Sequence, residues 1–317
     1  MAKIDLARKP RRLEALAEGL IKTTALVSVL AVLLILMFVG KEALPLLTSE
    51  LVHQEVTPLQ MLGTYATTAG NAHMWQPVGD VPKYSVLPLF LGSLKVTLVA
   101  IFYAVPLSIG AAVYVAEFAP RRLREWVKPA IEMLSGVPSV VVGFFALVVL
   151  AGWLHRVFGT DHRLNAGVAG LGLAFAVCPV VFSVSEDALR AVPSTYRAAA
   201  LALGSTRSQT ILRVILPAAA PGIGAAVVLG FGRAIGETMI VLLASGNAAL
   251  SDASLGHSVR TFTATIAQEL GEVVVGSPHY HVLFALGALL FLSTFGINML
   301  GERALHRSRQ RLEGKRG

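Results

Sequence analysis

Six apolar runs constrain this chain more than anything else in it. They lie at about residues 23–40, 86–116, 129–154, 166–184, 216–245 and 281–300. A helix rises 1.5 Å per residue, so roughly 20 apolar residues cross a hydrocarbon core of about 30 Å. Runs of this number and length predict an all-α protein integral to the membrane, with about six transmembrane helices. Composition agrees: 55% of the residues are hydrophobic, only 15% are charged, and mean hydropathy is +0.67. A soluble domain carries fewer apolar and more charged residues.

The formal net charge of +8 would raise nucleic-acid binding in a soluble protein. No interleaving of basic and aromatic residues accompanies it, so nucleic acid is not an expected partner. The basic residues follow a topology instead. With the N-terminus inside, twenty of the 27 Lys and Arg fall in inner segments and five in outer ones, while Lys95 and Arg233 lie within spans. That bias predicts that both termini are cytoplasmic. The basic segment 1–22 includes Arg11-Arg12, which looks like part of a twin-arginine signal. No A-x-A-like site follows the first run, so an uncleaved anchor is expected. The single cysteine, Cys178, excludes an internal disulfide and cysteine-based metal clusters.

The expected layout is a tail at 1–22, a first span with an outer segment at 23–84, a transmembrane domain at 85–305 and a basic tail at 306–317. Pro45, Pro58, Pro77 and Pro82 break up the outer segment. Pro106 should kink the second span, and Pro138 should bend or break the third, leaving carbonyls for neighbours or water to satisfy. Arg121, Arg122, Arg124 and Lys128 are expected in a short basic loop, and Lys95 is expected to snorkel to the interface.

Arg233 and Glu237 are the only formal charges between Ala218 and Leu243. A charge at mid-membrane costs about 2.5–3.5 kcal/mol, so an arginine there needs a partner, a water-filled cavity or an anionic ligand. Four residues separate the two, which predicts one shared face of a continuous helix. One reading is a buried ion pair. The other has Arg233 face a pathway and meet an oxyanion, for which a planar guanidinium is suited, while Glu237 holds it in place. Thr238 and Ser139 are weaker candidates, as hydroxyl donors. At 1.5 Å per residue, Arg233 lies about 24 Å from Pro217 along the helix.

Residues 193–217 read as two short helices. Ser194 or Thr195 can cap the first, Gly204 can end it in a left-handed conformation, and Thr206-x-x-Gln209 is a capping box for the second, which should stop at Pro217. Such a helix-turn-helix suits docking into a partner's groove or lying on the membrane surface.

Catalytic signals are weak. The chain has no G-x-x-x-x-G-K-[ST] phosphate loop, and the glycines 230, 232 and 236 have the wrong spacing for a dinucleotide fingerprint. They read better as small residues for close helix packing. His279-x-His281 has no third ligand near it in sequence, so no metal or other cofactor is expected. Catalysis by this chain alone is not expected.

Residues 199–217, with Ala199, Ala200, Gly204 and Val214-Ile215-Leu216-Pro217, are similar to the EAA loop of type I ABC-importer permeases. Flanking motifs narrow the match: GFGRAIGETM at 230–239, GVPSVVVG at 136–143, Phe262-Thr263-Ala264 and FALG at 284–287. Together they resemble phosphate-transport permease subunits, and Met239 with Gly246-Asn247 favours the PstC kind over the PstA kind. The resemblance implies a MetI-like fold and a subunit of an ATP-driven importer that admits inorganic phosphate by alternating access. It also implies a PstA-like second permease, a PstB-like ATPase dimer, a PstS-like periplasmic binding protein and a place in the bacterial inner membrane. Arg233 and Glu237 correspond to transport residues, and Ala198, Ala199, Leu203, Gly204, Ile215 and Pro217 to the loop that meets the ATPase. Ala198 stands where the family has Glu, which would form a Thr195-x-x-Glu box and face a basic residue of the ATPase. The readings left open are a permease for phosphonate, molybdate or sulfate, an ion-coupled transporter or channel independent of ATP, and a membrane scaffold.

Overall fold

The computed structural model describes residues 12–67 and 70–312. Lys3, Arg8, Lys9 and Arg11 of the expected tail, and Lys315 and Arg316, lie outside the described residues. Six helical stretches are long and apolar enough to cross a membrane: Leu16–Thr48, Leu87–Phe118, Ser139–Phe158, Ala166–Arg190, Arg207–Ile235 and Pro278–Arg303. They correspond one for one to the six apolar runs.

Helix α1 (Arg12–Ala43) begins inside the expected tail and carries the first span. Short helices α2 (Pro45–Thr48) and α3 (Glu50–His53) and two hairpins, β1 (Tyr65–Thr67) with β2 (Gly70–Ala72) and β3 (Trp75–Gln76) with β4 (Lys83–Tyr84), follow it. This proline-broken segment is a packed cap: Leu46, Val52, Val56, Met61, Trp75 and Tyr84 form one apolar cluster with Phe262, Val282, Leu283 and Leu286. The Tyr84 hydroxyl donates to Glu55 Oε1 at 2.5 Å, and burial pushes the phenol well above its ordinary pKa.

Helix α4 (Leu87–Val113) runs through Pro106 and ends in a π turn, Tyr114–Phe118. Two expectations change here. The basic stretch at 121–128 is not a loop but the start of α5 (Arg121–Ser135), whose Val127 and Ile131 pack inward while Arg121, Arg122 and Glu125 stay exposed. The third span therefore starts at Ser139 rather than at 129. Pro138 breaks the chain as expected, its φ of −57° and ψ of 135° setting off α6 (Ser139–Phe145), which continues through a π turn into α7 (Ala151–Phe158).

Helix α8 (Ala166–Arg190), capped by Asn165 Oδ1 accepting from the Val168 amide at 2.9 Å, is the centre of the bundle. Its most apolar window is 61% buried, against 33% or less in each of the other five spans. Small residues allow the close approach that helix pairs in lipid depend on. Gly222 meets Ala188, Gly230 meets Val181 and Val177, and Gly170 meets Val99, in each case with no room for a Cβ unless the neighbour shifts. Helices α9 (Ser194–Ala202) and α10 (Arg207–Thr210), a π turn at Ile211–Ile215, α11 (Leu216–Ile235), α12 (Met239–Ala244), α13 (Phe262–Glu269) and α14 (Pro278–Leu312) complete the chain. The side bearing α9 and α10 is opposite the side bearing the hairpins.

Lys95 reaches the outer connection at 246–261. Its ammonium pairs with Asp252 at 3.3 Å and donates to Ser254 O at 3.4 Å. Asp252 in turn holds His257 Nδ1 at 2.9 Å, and His257 Nε2 reaches Asp161 at 3.2 Å. This chain of charges ties the 246–261 connection to α4 and to the turn before α8. Burial raises the Asp252 carboxyl, but hydrogen bonds from His257, the Ser254 amide and Lys95 outweigh it and leave it below the usual range. The hydrogen bond to Asp252 raises His257 above its ordinary 6.5. A histidine raised in the folded state stabilises fully below its unfolded pKa and loses that contribution as pH rises through the folded value. Hydrogen exchange in residues 246–261 should therefore accelerate beyond its intrinsic pH dependence on passing from pH 6 to pH 8, and His257→Gln should abolish that excess.

Candidate functional site in the transmembrane bundle

The fifth span breaks where its two charges lie. Helix α11 ends at Ile235, Gly236 takes the C-cap with φ −88° and ψ −5°, and α12 restarts at Met239. Arg233 and Glu237 thus do not share a continuous helical face, and no ion pair joins them among the described residues. Glu237 serves the break itself: its Oε1 accepts from the Met239 amide at 3.2 Å, and its backbone carbonyl accepts from Thr263 Oγ1 at 3.0 Å. Backbone groups freed by an interrupted membrane helix are satisfied in this way by local side chains and neighbours. Pro217 and Arg233 lie on the same helix, α11, about 24 Å apart at 1.5 Å per residue.

Arg233 is exposed, and its one hydrogen bond among the described residues runs from Nε to Ala176 O on α8 at 3.2 Å. The terminal guanidinium N–H groups have no protein acceptor among the described residues, leaving the planar fork free for an anion. The side chain lines a cavity of about 920 Å³ between α11 and α14, together with Gly232, Gly236, Thr294, Asn298 and Glu302. Glu237, Thr238 and Ser139 do not line it. Thr238 and Ser139 stand instead at the starts of α12 and α6, which pack so closely that a Cβ on Gly143 would lie 3.1 Å from Ile240 Cα.

On the opposite side of the bundle the two-helix loop forms largely as expected. Gly204 has φ +82°, and both bonds of the Thr206–Gln209 capping box are made. Three details differ. Pro193 takes the N-cap of α9 with no side-chain bond, so position 198 is the fifth residue of the helix, too deep for a Glu there to complete a box with Thr195. The second helix does not stop at Pro217: Arg207–Ile235 is one helical run into the membrane. Ala198, Ala199, Leu203, Gly204 and Pro217 are exposed, Leu203 at 88%, whereas Ile215 is fully buried and anchors the loop against Val115, Phe182 and Leu189.

Two carboxylates that the sequence reading passed over hold this side together. Arg197 reaches Glu117 through Nη2 at 2.5 Å and Nε at 3.3 Å, and donates to Val192 O and Leu189 O at 2.8 and 3.1 Å. Arg207 also donates to Glu117 O and lies over the Phe118 ring. Glu186 is completely buried, 2.7 Å from Lys128 Nζ and paired with Arg190. Its signal was a carboxylate just beyond the fourth apolar run, which α8 carries on to Arg190. His279 and His281 go to different partners, Glu269 at 2.9 Å and Glu42 O at 2.7 Å.

Six spans, one interrupted beside Arg233, and an exposed loop continuous with that span describe a multi-pass membrane protein. Residues 104–307 match the family described as "Binding-protein-dependent transport system inner membrane component". The chain belongs to that family, and is a multi-pass membrane component rather than a catalytic subunit. It is 36% identical over 292 residues to a "Probable ABC transporter permease protein YqgH" of Bacillus subtilis, covering 91% of this chain and 90% of that one. It is 34% identical over 267 residues to a "Phosphate transport system permease protein PstC" of Mesorhizobium japonicum, covering 78% and 81%. A bacterial alginate ABC transporter, crystallised with an alginate pentasaccharide-bound periplasmic protein, shares the fold with a TM-score of 0.60 at 14% identity over 97% of this chain and 99% of that one.

Proposed function

We propose that this chain is the PstC-type permease of an ATP-driven phosphate importer, one half of a path that opens alternately to either side of the inner membrane. The observation that carries the reading is Arg233, a guanidinium with free terminal N–H groups facing the cavity between α11 and α14. Relatives named as phosphate permeases support phosphate as the anion. A PstA-like permease would form the other half, a PstS-like protein would deliver phosphate at the hairpin side, and a PstB-like ATPase dimer would seat against α9 and α10. The positive-inside bias supports cytoplasmic termini. Uptake of labelled phosphate by the reconstituted complex, competed by unlabelled phosphate and not by sulfate, molybdate or a phosphonate, is the expected result. Equal competition by sulfate would replace the substrate.

The ATPase stroke would enter through α9 and travel along Arg207–Ile235 to the arginine. Position 198 is exposed on α9, free to meet a basic residue of the ATPase. Ala198→Glu should raise phosphate-stimulated ATP hydrolysis in proteoliposomes severalfold. An unchanged rate would show that this position carries no coupling.

A further inference from the structure

The face of α14 that lines the cavity with Arg233 carries polar side chains beside apolar Leu290 and Phe291. Thr294, Asn298 and Glu302 recur every four residues on one face of α14 and line the same cavity of about 920 Å³. A polar side chain in a membrane span must be satisfied by protein, water or ligand. Thr294 is satisfied within its own helix, donating to Leu290 O and Phe291 O at 2.9 Å. Asn298 has no hydrogen-bond partner among the described residues and is exposed. Its carboxamide lies against Gly232: a Cβ there would meet Asn298 Oδ1 at 3.4 Å and Nδ2 at 3.7 Å. These are ordinary contact distances, and they place the amide of Asn298 beside the residue that precedes Arg233.

We propose that Asn298 is a second binding residue for the transported anion, donating a carboxamide N–H to one oxygen while the Arg233 guanidinium holds others. The proposal rests on the transport reading above. The two donors divide the work: a guanidinium supplies charge and a bidentate fork, whereas a neutral amide fixes orientation without adding charge that would trap the anion. Donors from two helices also make the site sensitive to their spacing, as alternating access requires. Glu302 and Arg233 are the charged residues on the cavity wall, and the carboxylate one turn from Asn298 disfavours anion dwell at that end.

The test uses the complete transporter in proteoliposomes, with labelled phosphate, sulfate and molybdate offered to wild type, Asn298→Leu, Asn298→Ser and Asn298→Asp. Asn298→Leu should raise KM for phosphate about tenfold with the complex intact. Asn298→Ser, which keeps a donor, should recover most of the loss. Asn298→Asp, of the same volume but charged, should lose more than Leu. Wild-type KM in both the Leu and Asp variants overturns the proposal, as does equal loss in the Leu, Ser and Asp variants.

A second measurement reads occupancy of the cavity beside uptake: Asn298→Cys in a Cys178→Ser background, labelled by a water-soluble methanethiosulfonate. Phosphate should slow labelling severalfold, and Arg233→Gln should abolish that protection. Labelling that phosphate leaves unchanged in a transporter that imports phosphate overturns the Asn298 contact alone. Import and protection by sulfate or molybdate instead overturn the phosphate reading and leave the contact standing. Import of none of the three anions overturns both.

Discussion

Arg233→Gln should abolish phosphate uptake, lowering it by at least about a hundredfold through loss of the charge-assisted fork, while the complex still assembles. Glutamine keeps a donor near Ala176 O, so packing between α11 and α8 changes little. It removes the positive charge and the fork. Charge-assisted hydrogen bonds are about twice as strong as neutral ones, and a bidentate pair adds a second bond and a fixed geometry. The cavity wall offers no other cation to take its place, Glu302 being the other charged residue there. Arg233→Lys keeps the charge without the fork and should retain part of the uptake. The measurement is initial uptake at matched protein content, with assembly followed by size-exclusion chromatography. Normal uptake by the Gln variant would remove the anion site.

The second large effect belongs to the opposite side of the bundle. Glu117→Gln removes the charge that Arg197 meets where α9 joins the end of α4, with side chains only 28% and 10% exposed. Breaking a buried pair from one side costs about 3–5 kcal/mol, because the remaining charge is left uncompensated, and partial exposure of Arg197 places this site at the lower end. The carbonyls of Val192 and Leu189 still hold Arg197, so α9 should loosen rather than unfold. Phosphate-stimulated ATP hydrolysis should fall about tenfold, with anion protection at the cavity unchanged. Unaltered stimulation would mean that the clamp is not on the path between ATPase and span.

Much of the fold was legible in the sequence, since lipid leaves a long apolar run little choice but a helix. The break at Pro138, the capping box of Thr206 and Gln209 and the left-handed Gly204 were readable for the same reason: each is a local rule. The interruption of the fifth span between α11 and α12 was not. Its glycines fit a packing surface as well as a break, and the decision rests with Thr263 on α13, which satisfies the freed carbonyl of Glu237. The candidate site was half legible. Arg233 stood out by cost, but pairing it with Glu237 assumed a continuous helix. Asn298, 65 residues further along, reaches the cavity only because α14 packs beside α11. Uncharged polar residues carry no formal cost that marks them in a span. Glu117 and Glu186 escaped notice because each lies at the rim of an apolar run, where a carboxylate is ordinary until folding buries it.

The most direct test of the transport account compares proteoliposomes holding the complete transporter with ATP inside against the same vesicles holding a non-hydrolysable analogue and an imposed proton or sodium gradient. Saturable uptake of labelled phosphate with ATP alone, absent with the analogue and absent in Arg233→Gln, is the predicted result. Uptake driven by the gradient without ATP hydrolysis would contradict it.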